Sequence, residues 1–387
     1  MSLAINTRIV AFQMGGQQRA AAEVAKRLEA ASEIRPSRPL GGVEGHLWEQ
    51  FVLPVRAHGR LLWSPSATGP LSYPRQVVTV HDMAFVDVPE CFSASFRRLY
   101  AALTPALMRR VAKVVTVSEF SRLRILERVA IDPDKVIVIG NGVSDQFRIQ
   151  DPAAIARTRA ALQLPDRYFL INTTSRRKNA ARALRAWRAA LPFLPDDLWL
   201  IVSGSCDRAR VTGEAEALDA APRTRFIGHV AEENLAPLIG AAEAFLFPSL
   251  YEGFGIPILE AMACATPVLT SDATATREVA DGKALLIDPH DETSIGRGIV
   301  ALATDASLRA RLSAIGPPHA AKFTWEDVAN RYRALFDNLE AAAQGASRDA
   351  AGLPKREFSV PKAARGLIGA VVPQQRKRRD REDEKVE

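Results

Sequence analysis

The stretch "PSLYEGFGIPILEAMACATPV", Pro248 to Val268, holds two glutamates, Glu252 and Glu260, eight residues apart with Gly253-Phe254-Gly255 between them. The apolar run "AFLFPS" before it reads as a strand, "LYEGFG" as a loop, and "IPILEAMAC" as a helix. Pro257 falls in the first helical turn, where its missing N–H costs nothing. Glu252 is thus placed in a loop at a strand's carboxyl end, and Glu260 in the first turns of the helix. Gly253 and Gly255 let the backbone approach a ligand closely, and the free amides of a helix start favour an anion. Such a corner can hold a phosphate on its amides while two carboxylates accept hydrogen bonds from hydroxyls. An ordinary glycine-eased turn, with Glu260 serving the helix dipole, has the same spacing.

Working outward, short apolar runs recur, each followed by a turn and then a helical pattern. "TRIVAF" leads into Gly15-Gly16, "QVVTV" into His81-Asp82, and "AKVVTV" into "SEFSRLRILERV" with Ser118 placed as an N-cap. "KVIVIG" ends at Asn141-Gly142. After a polar stretch near 145–165 the pattern restarts with "RYFLINT", "DLWLIVSG", "TRFIGHV", "AEAFLFPS", "TPVLTS" and "KALLID". The runs are too continuous for half-exposed strands and predict buried parallel strands alternating with helices. Two successive α/β units follow, 1–150 and 151–322, with ligands expected outside the carboxyl ends of the strands. "FTWEDVANRYRALFDNLEAA" (323–342) is an amphipathic helix expected to pack back on the first unit. The charged stretch 345–387 reads as a disordered tail.

The 387 residues suffice for about two domains. The net charge of +7 suits a polyanionic partner, whether nucleic acid, anionic lipid or a phosphorylated small molecule. Aromatics make up 7% and do not interleave with basic clusters, which argues against nucleic acid. No signal peptide is read at the N-terminus, and no apolar run approaches the roughly 20 residues that span a bilayer. Three scattered cysteines, Cys91, Cys206 and Cys264, fit a reducing cytosol and predict no metal site. Asp132-Pro133-Asp134 spells D-x-D but falls in a helix–strand connector. No G-x-G-x-x-G occurs at the strand turns, which argues against a dinucleotide redox cofactor.

The stretch closely resembles the E-x7-E signature of the retaining family 4 glycosyltransferases. "VVTVHDMAFVDVPE", "VVTVSEFSR", "VIVIGNGVSDQF", "RRKN", "FIGHV", "REVADGKALLIDPHD" and "FTWEDVANRY" fall in the family's order across most of residues 1–340. The resemblance implies a GT-B fold: two Rossmann-like doubly wound parallel-sheet domains facing a central cleft, the first for the acceptor and the second for a nucleotide sugar. It implies that Glu260 accepts hydrogen bonds from the nucleotide ribose and that Glu252 contacts the donor sugar near the reacting carbon. The amides of Gly253, Phe254 and Gly255 then meet sugar and phosphate. Arg177 and Lys178 bind the diphosphate, His81 touches the donor sugar with Asp82 bracing it, and Gly15 and Gly16 lie close to the donor phosphate and the acceptor. Val230, in the loop from Gly228, meets the base.

The members it most resembles are bacterial mannosyltransferases that build surface polysaccharides such as lipopolysaccharide. GDP-mannose is therefore the expected donor, a glycan or polyprenyl-diphosphate-linked saccharide the acceptor, and metal-independent transfer with retention the reaction. The expected location is cytoplasmic, at the inner face of the membrane, with "SFRRLYAALTPALMRRVAK" (95–113) as a basic surface for peripheral lipid contact or else a helix pair interrupted at Pro105. Two letters depart from the family pattern. Ala265 stands where a glycine is usual, so the turn is expected to differ, and Thr274-Ala275 replaces a serine pair. A nucleotide-sugar epimerase of the same architecture, or a non-catalytic sugar-nucleotide binder, are the rival readings.

Overall fold

The computed structural model describes residues 3–11, 15–28, 31–204 and 222–352. Cys206 and residues 353–387 of the expected tail lie outside these residues, whereas 345–352, expected to be disordered, continue the helix Trp325–Gly352. The first sheet has the order β2-β1-β3-β4-β5-β6. Its strands are Leu3–Asn6, Ser32–Ile34, Leu61–Ser64, Gln76–Thr79, Lys113–Thr116 and Val136–Val138, numbered β1 to β6 along the chain. The second has the order β12-β11-β10-β7-β8-β9. Here β7 to β12 are Arg167–Thr173, Leu198–Gly204, Thr224–Gly228, Ala244–Phe247, Val268–Ser271 and Leu285–Ile287.

Every adjacent pair of strands is parallel. All residues of β1, β3, β4, β10 and β11 are buried. Helices cover both faces of a parallel sheet, so its inner strands need continuous apolar runs rather than alternation.

Three local expectations change. "TRIVAF" is not a strand: β1 is the preceding "LAIN", and Arg8–Ala11 forms a 3-10 turn. The Asn6 side chain accepts the Arg8 N–H at 3.3 Å, and Val10 N–H bonds to the Thr7 carbonyl at 3.2 Å, so the chain turns before the run can extend. Residues 94–110 form one helix that runs through Pro105, not a pair. Its Leu107 and Met108 are buried beneath the sheet, and Phe96 stacks between Phe92 and Tyr100 at 5.3 and 4.0 Å. Ala265 keeps the left-handed turn with φ +60°, Thr266 N–H reaching the Ala261 carbonyl at 3.0 Å. The helix end is closed by the glycine conformation although an alanine occupies it, a strain of about 1–2 kcal/mol.

Gly142 lets two passes of the chain touch. A Cβ there would lie 2.4 Å from the Trp325 nitrogen, while Val143 N–H bonds to the Phe323 carbonyl at 2.9 Å. Beyond this crossing, the helix that begins at Trp325 lies on the first sheet. Tyr332 and Phe336 pack on Trp63 with ring centroids 4.9 and 6.0 Å apart, and the Tyr332 hydroxyl pairs with Thr79 Oγ1 at 2.9 Å.

Candidate functional site

The corner after β10 turns as its sequence requires. Gly255 adopts φ +108°, a conformation closed to side-chain-bearing residues, and the helix Ile256–Ala263 starts directly after it with no side-chain cap on its first amides. Glu252 and Glu260 are both buried. Gly253 serves a purpose that spacing did not reveal: a Cβ there would come within 2.3 Å of the His81 carbonyl oxygen. Ser118 Oγ and Ser121 Oγ donate to the Gly253 carbonyl at 2.6 and 3.2 Å, so the loop is bolted to the carboxyl edge of the first sheet.

Lys178 follows β7 in the 3-10 turn Arg176–Lys178, and Asn179, with φ +60°, ends that turn. The Asn179 amide donates to the Pro248 and Pro289 carbonyls at 3.0 and 2.8 Å, which aims the turn at the β10 corner. Lys178 Nζ donates to Glu252 Oε1 at 2.8 Å and sits over the Phe247 ring at 4.2 Å. Arg177 donates to Asp82 Oδ2 at 3.2 Å. Asp82 is thus a partner of Arg177 and accepts the Ala84 N–H at 3.0 Å; no hydrogen bond to it comes from His81, the brace expected from sequence.

Burial alone would raise the Glu252 carboxyl, but Lys178 and Arg177 outweigh it and hold Glu252 below the usual glutamate range. Glu252 is therefore ionised at neutral pH. Glu260 differs: burial pushes it above its ordinary value, with Arg19 only partly opposing and Glu232 adding to the rise. His81 is buried and its Nε2 lies 3.1 Å from the Pro65 carbonyl, an acceptor only, so Nε2 carries the proton. Burial depresses its pKa, leaving a neutral imidazole.

Of the other expected residues, Gly15 and Gly16 open the helix Gly16–Arg27, and Val230 is buried between β9 and the helix Glu232–Gly240. Thr274, one of the two departures, has φ +55° and accepts the Glu252 N–H at 3.4 Å, so its hydroxyl faces the loop. Sequence reasoning missed Arg19, whose Nη1 donates to Glu260 Oε1 at 2.5 Å, and Glu278, whose carboxylate accepts the Glu119 and Phe120 amides at 3.0 and 3.1 Å. Both contacts join residues more than 150 positions apart, and no local pattern reports such pairs.

Residues 158–317 match the family model described as glycosyl transferases group 1, and residues 55–147 match that of glycosyltransferase family 4. The chain is 30% identical over 282 residues to the O-antigen chain mannosyltransferase B of Escherichia coli, covering 67% of this chain and 71% of that one. It is 27% identical to the serotype-specific mannosyltransferase WbdA of Escherichia coli over 65% of its own length, but spans only 31% of WbdA. Among solved structures, Anabaena HepE in complex with UDP-glucose superposes with a TM-score of 0.69 at 18% identity, over 87% of this chain and 99% of HepE. The fold shared with HepE and the match to the O-antigen enzyme fit the two-sheet architecture and the E-x7-E corner. The chain belongs to glycosyltransferase family 4 and is a glycosyltransferase of the GT-B fold.

Proposed function

We propose that this protein moves a mannosyl residue from GDP-mannose, with retention, to a glycan or polyprenyl-diphosphate-linked saccharide during surface polysaccharide assembly. The observation that carries this reading is the cluster of Glu252, Lys178 and Arg177 at the carboxyl edge of the second sheet, with Glu260 one helix turn deeper. The two named mannosyltransferase relatives supply the sugar. Residues 1–150, with the helix from 323, form the acceptor side, and 151–322 the donor side.

In this reading Glu260 accepts the ribose hydroxyls and the Gly228–Val230 loop meets the base. The Gly253-Phe254-Gly255 amides and the Gly15-Gly16 turn approach the sugar and phosphates. Lys178 and Arg177 neutralise the diphosphate as the glycosidic bond lengthens, the point at which fixed charge has its greatest effect on rate. The acceptor hydroxyl attacks from the face the diphosphate is leaving, and a diphosphate oxygen takes its proton. Glu252, ionised, orients the sugar hydroxyls and stabilises positive charge at the anomeric carbon. Neutral His81 contacts the sugar and does not protonate the leaving group. Because the two cations supply the neutralising charge, a chelator should leave the rate unchanged.

The test is release of nucleoside diphosphate from GDP-, UDP- and ADP-sugars with and without a lipid-linked saccharide. Acceptor-dependent release from GDP-mannose, giving a product of the donor's anomeric configuration, is expected. Conversion of the donor sugar without acceptor would instead mark an epimerase, and donor binding with neither outcome a binding protein.

Peripheral contact with the inner face of the cytoplasmic membrane is part of the same proposal, through a different surface from the one expected. Leu107 and Met108 of residues 94–110 are spent on the core and only Leu99 is left exposed, at 42%, among the large apolar side chains there, whereas Val43, Leu47, Phe51 and Val55, spaced by four, are all more than half exposed. No helix among the described residues is long and apolar enough to cross a membrane. Arg35, Arg38 and Arg56 are exposed alongside this row. Serine at Leu47 and Phe51 should reduce co-sedimentation with anionic vesicles; equal sedimentation would exclude this face.

A further inference from the structure

We infer that Arg19 is a positioning residue for the donor: from the helix that opens at Gly16, it fixes the Glu260 side chain in the orientation that meets the nucleotide ribose. The inference rests on the reading of Glu260 as the ribose acceptor.

The geometry is a three-point hold. Arg19 Nη1 donates to Glu260 Oε1 at 2.5 Å, Nη2 to Glu232 Oε1 at 3.2 Å, and the guanidinium carbon stands 5.8 Å from the centre of the Phe147 ring. A planar guanidinium fixed at two edges and one face has one orientation. The side chain is 18% exposed against 7% for Glu260, so this is not a surface pair of negligible strength. Among the described residues only Oε1 of Glu260 is engaged, which leaves the second oxygen to accept from a diol. Arg19 reaches this place because the helix starts at Gly16, with Arg19 N–H closing the first turn on the Gly15 carbonyl at 2.9 Å. The glycine pair thereby acts on the donor through an arginine side chain as well as through its own backbone.

The groups facing Glu260 are Arg19 on the first lobe, Glu232 at the start of its helix, Lys178 in the turn after β7, and the buried, un-ionised Cys264 on Glu260's own helix. Burial and Glu232 favour the protonated acid, and Arg19 is the strongest opposing influence. A protonated Glu260 loses its accepting oxygen to a proton and binds a diol less well. Removing Arg19 therefore weakens donor binding in a pH-dependent way.

The experiment is calorimetric titration of GDP-mannose into the full chain from about pH 5 to 9, for wild type, Arg19→Gln, Arg19→Lys and Glu260→Gln. Arg19→Gln should weaken binding about tenfold at neutral pH, as expected when a hydrogen bond to a charged group is lost. It should also move the acidic limb of the affinity profile upward, because the main influence opposing the burial of Glu260 is gone. Arg19→Lys, which retains the charge and is the safer variant for folding, should restore the limb while recovering only part of the affinity. Glu260→Gln should abolish the limb. Equal or tighter binding by Arg19→Gln, or weaker binding with an unmoved limb, overturns the role of Arg19. Undiminished binding by Glu260→Gln instead overturns the donor reading itself, so the two failures are distinct.

Discussion

Two buried carboxylates, Glu49 and Glu252, occupy comparable places at the carboxyl edges of the two sheets, each beside a cation. Glu49 is fully enclosed. Its Oε1 accepts from Asn6 Nδ2 at 2.9 Å and Thr68 Oγ1 at 3.1 Å and lies 3.0 Å from Arg8 Nε, while His46 Nδ1 stands 3.5 Å from Oε2. Gly45 makes room for this, since a Cβ there would lie 2.4 Å from Arg8 Nη1. Glu252, by contrast, is held by two cations, Lys178 at 2.8 Å and Arg177 nearby, which approach from a turn rather than from a packed helix interior. A carboxylate ringed by donors of its own lobe is a brace. One held by cations that a diphosphate can also engage is part of a site. Burial and ion pairing alone do not separate the two cases.

That contrast breaks first at Glu49. Glu49→Ala leaves Arg8 buried without its partner and should cost about 3–5 kcal/mol of stability, read by denaturant unfolding, with turnover per folded molecule retained. Lys178→Met should do the reverse. Turnover should fall about 10²–10³-fold, some 2.7–4 kcal/mol of transition-state stabilisation, while stability changes far less because Arg177 still faces Glu252. If Lys178→Met costs as much stability as Glu49→Ala and leaves turnover per folded molecule intact, the two carboxylates have been assigned the wrong way round.

The pH dependence sharpens the same distinction. Glu49 and Glu252 both have depressed pKa values, so the stability they contribute is present above the ordinary glutamate range and is lost as pH falls through their lowered values. Glu260 is shifted upward, so donor affinity should decline on its acidic side at a pH above the ordinary 4.5, before any loss of fold. The smallest expected effect is at the end of Glu260's helix. Ala265→Gly relieves the left-handed strain at φ +60° and should stabilise by about 1 kcal/mol without altering turnover, measured by thermal unfolding.

The sequence displayed the inner strands well because burial on both faces demands unbroken runs such as "RYFLINT", which is β7 from first residue to last. It hid β2 and β3. "SEI" has only one buried residue, and "LLWS" offers just three apolar residues in a row, too short a run to stand out although Gly59 and Pro65 bound it. At the candidate site, the strand–loop–helix corner that places Glu252 and Glu260 was legible because it is one continuous stretch. Asp82 was misassigned for the opposite reason: its partner Arg177 is 95 positions away, and adjacency to His81 suggested the wrong one. The same blindness to distance concealed Arg19 and the serines that bind the Gly253 carbonyl.

The central claim is that the E-x7-E corner holds the nucleotide sugar. It is tested most directly by GDP-mannose binding to wild type and to Glu260→Gln under conditions where both are folded. The account predicts a loss of at least tenfold in affinity for Glu260→Gln, the cost of about 1.5–3 kcal/mol for hydrogen bonds to a charged acceptor. Equal affinity in the two proteins would contradict it.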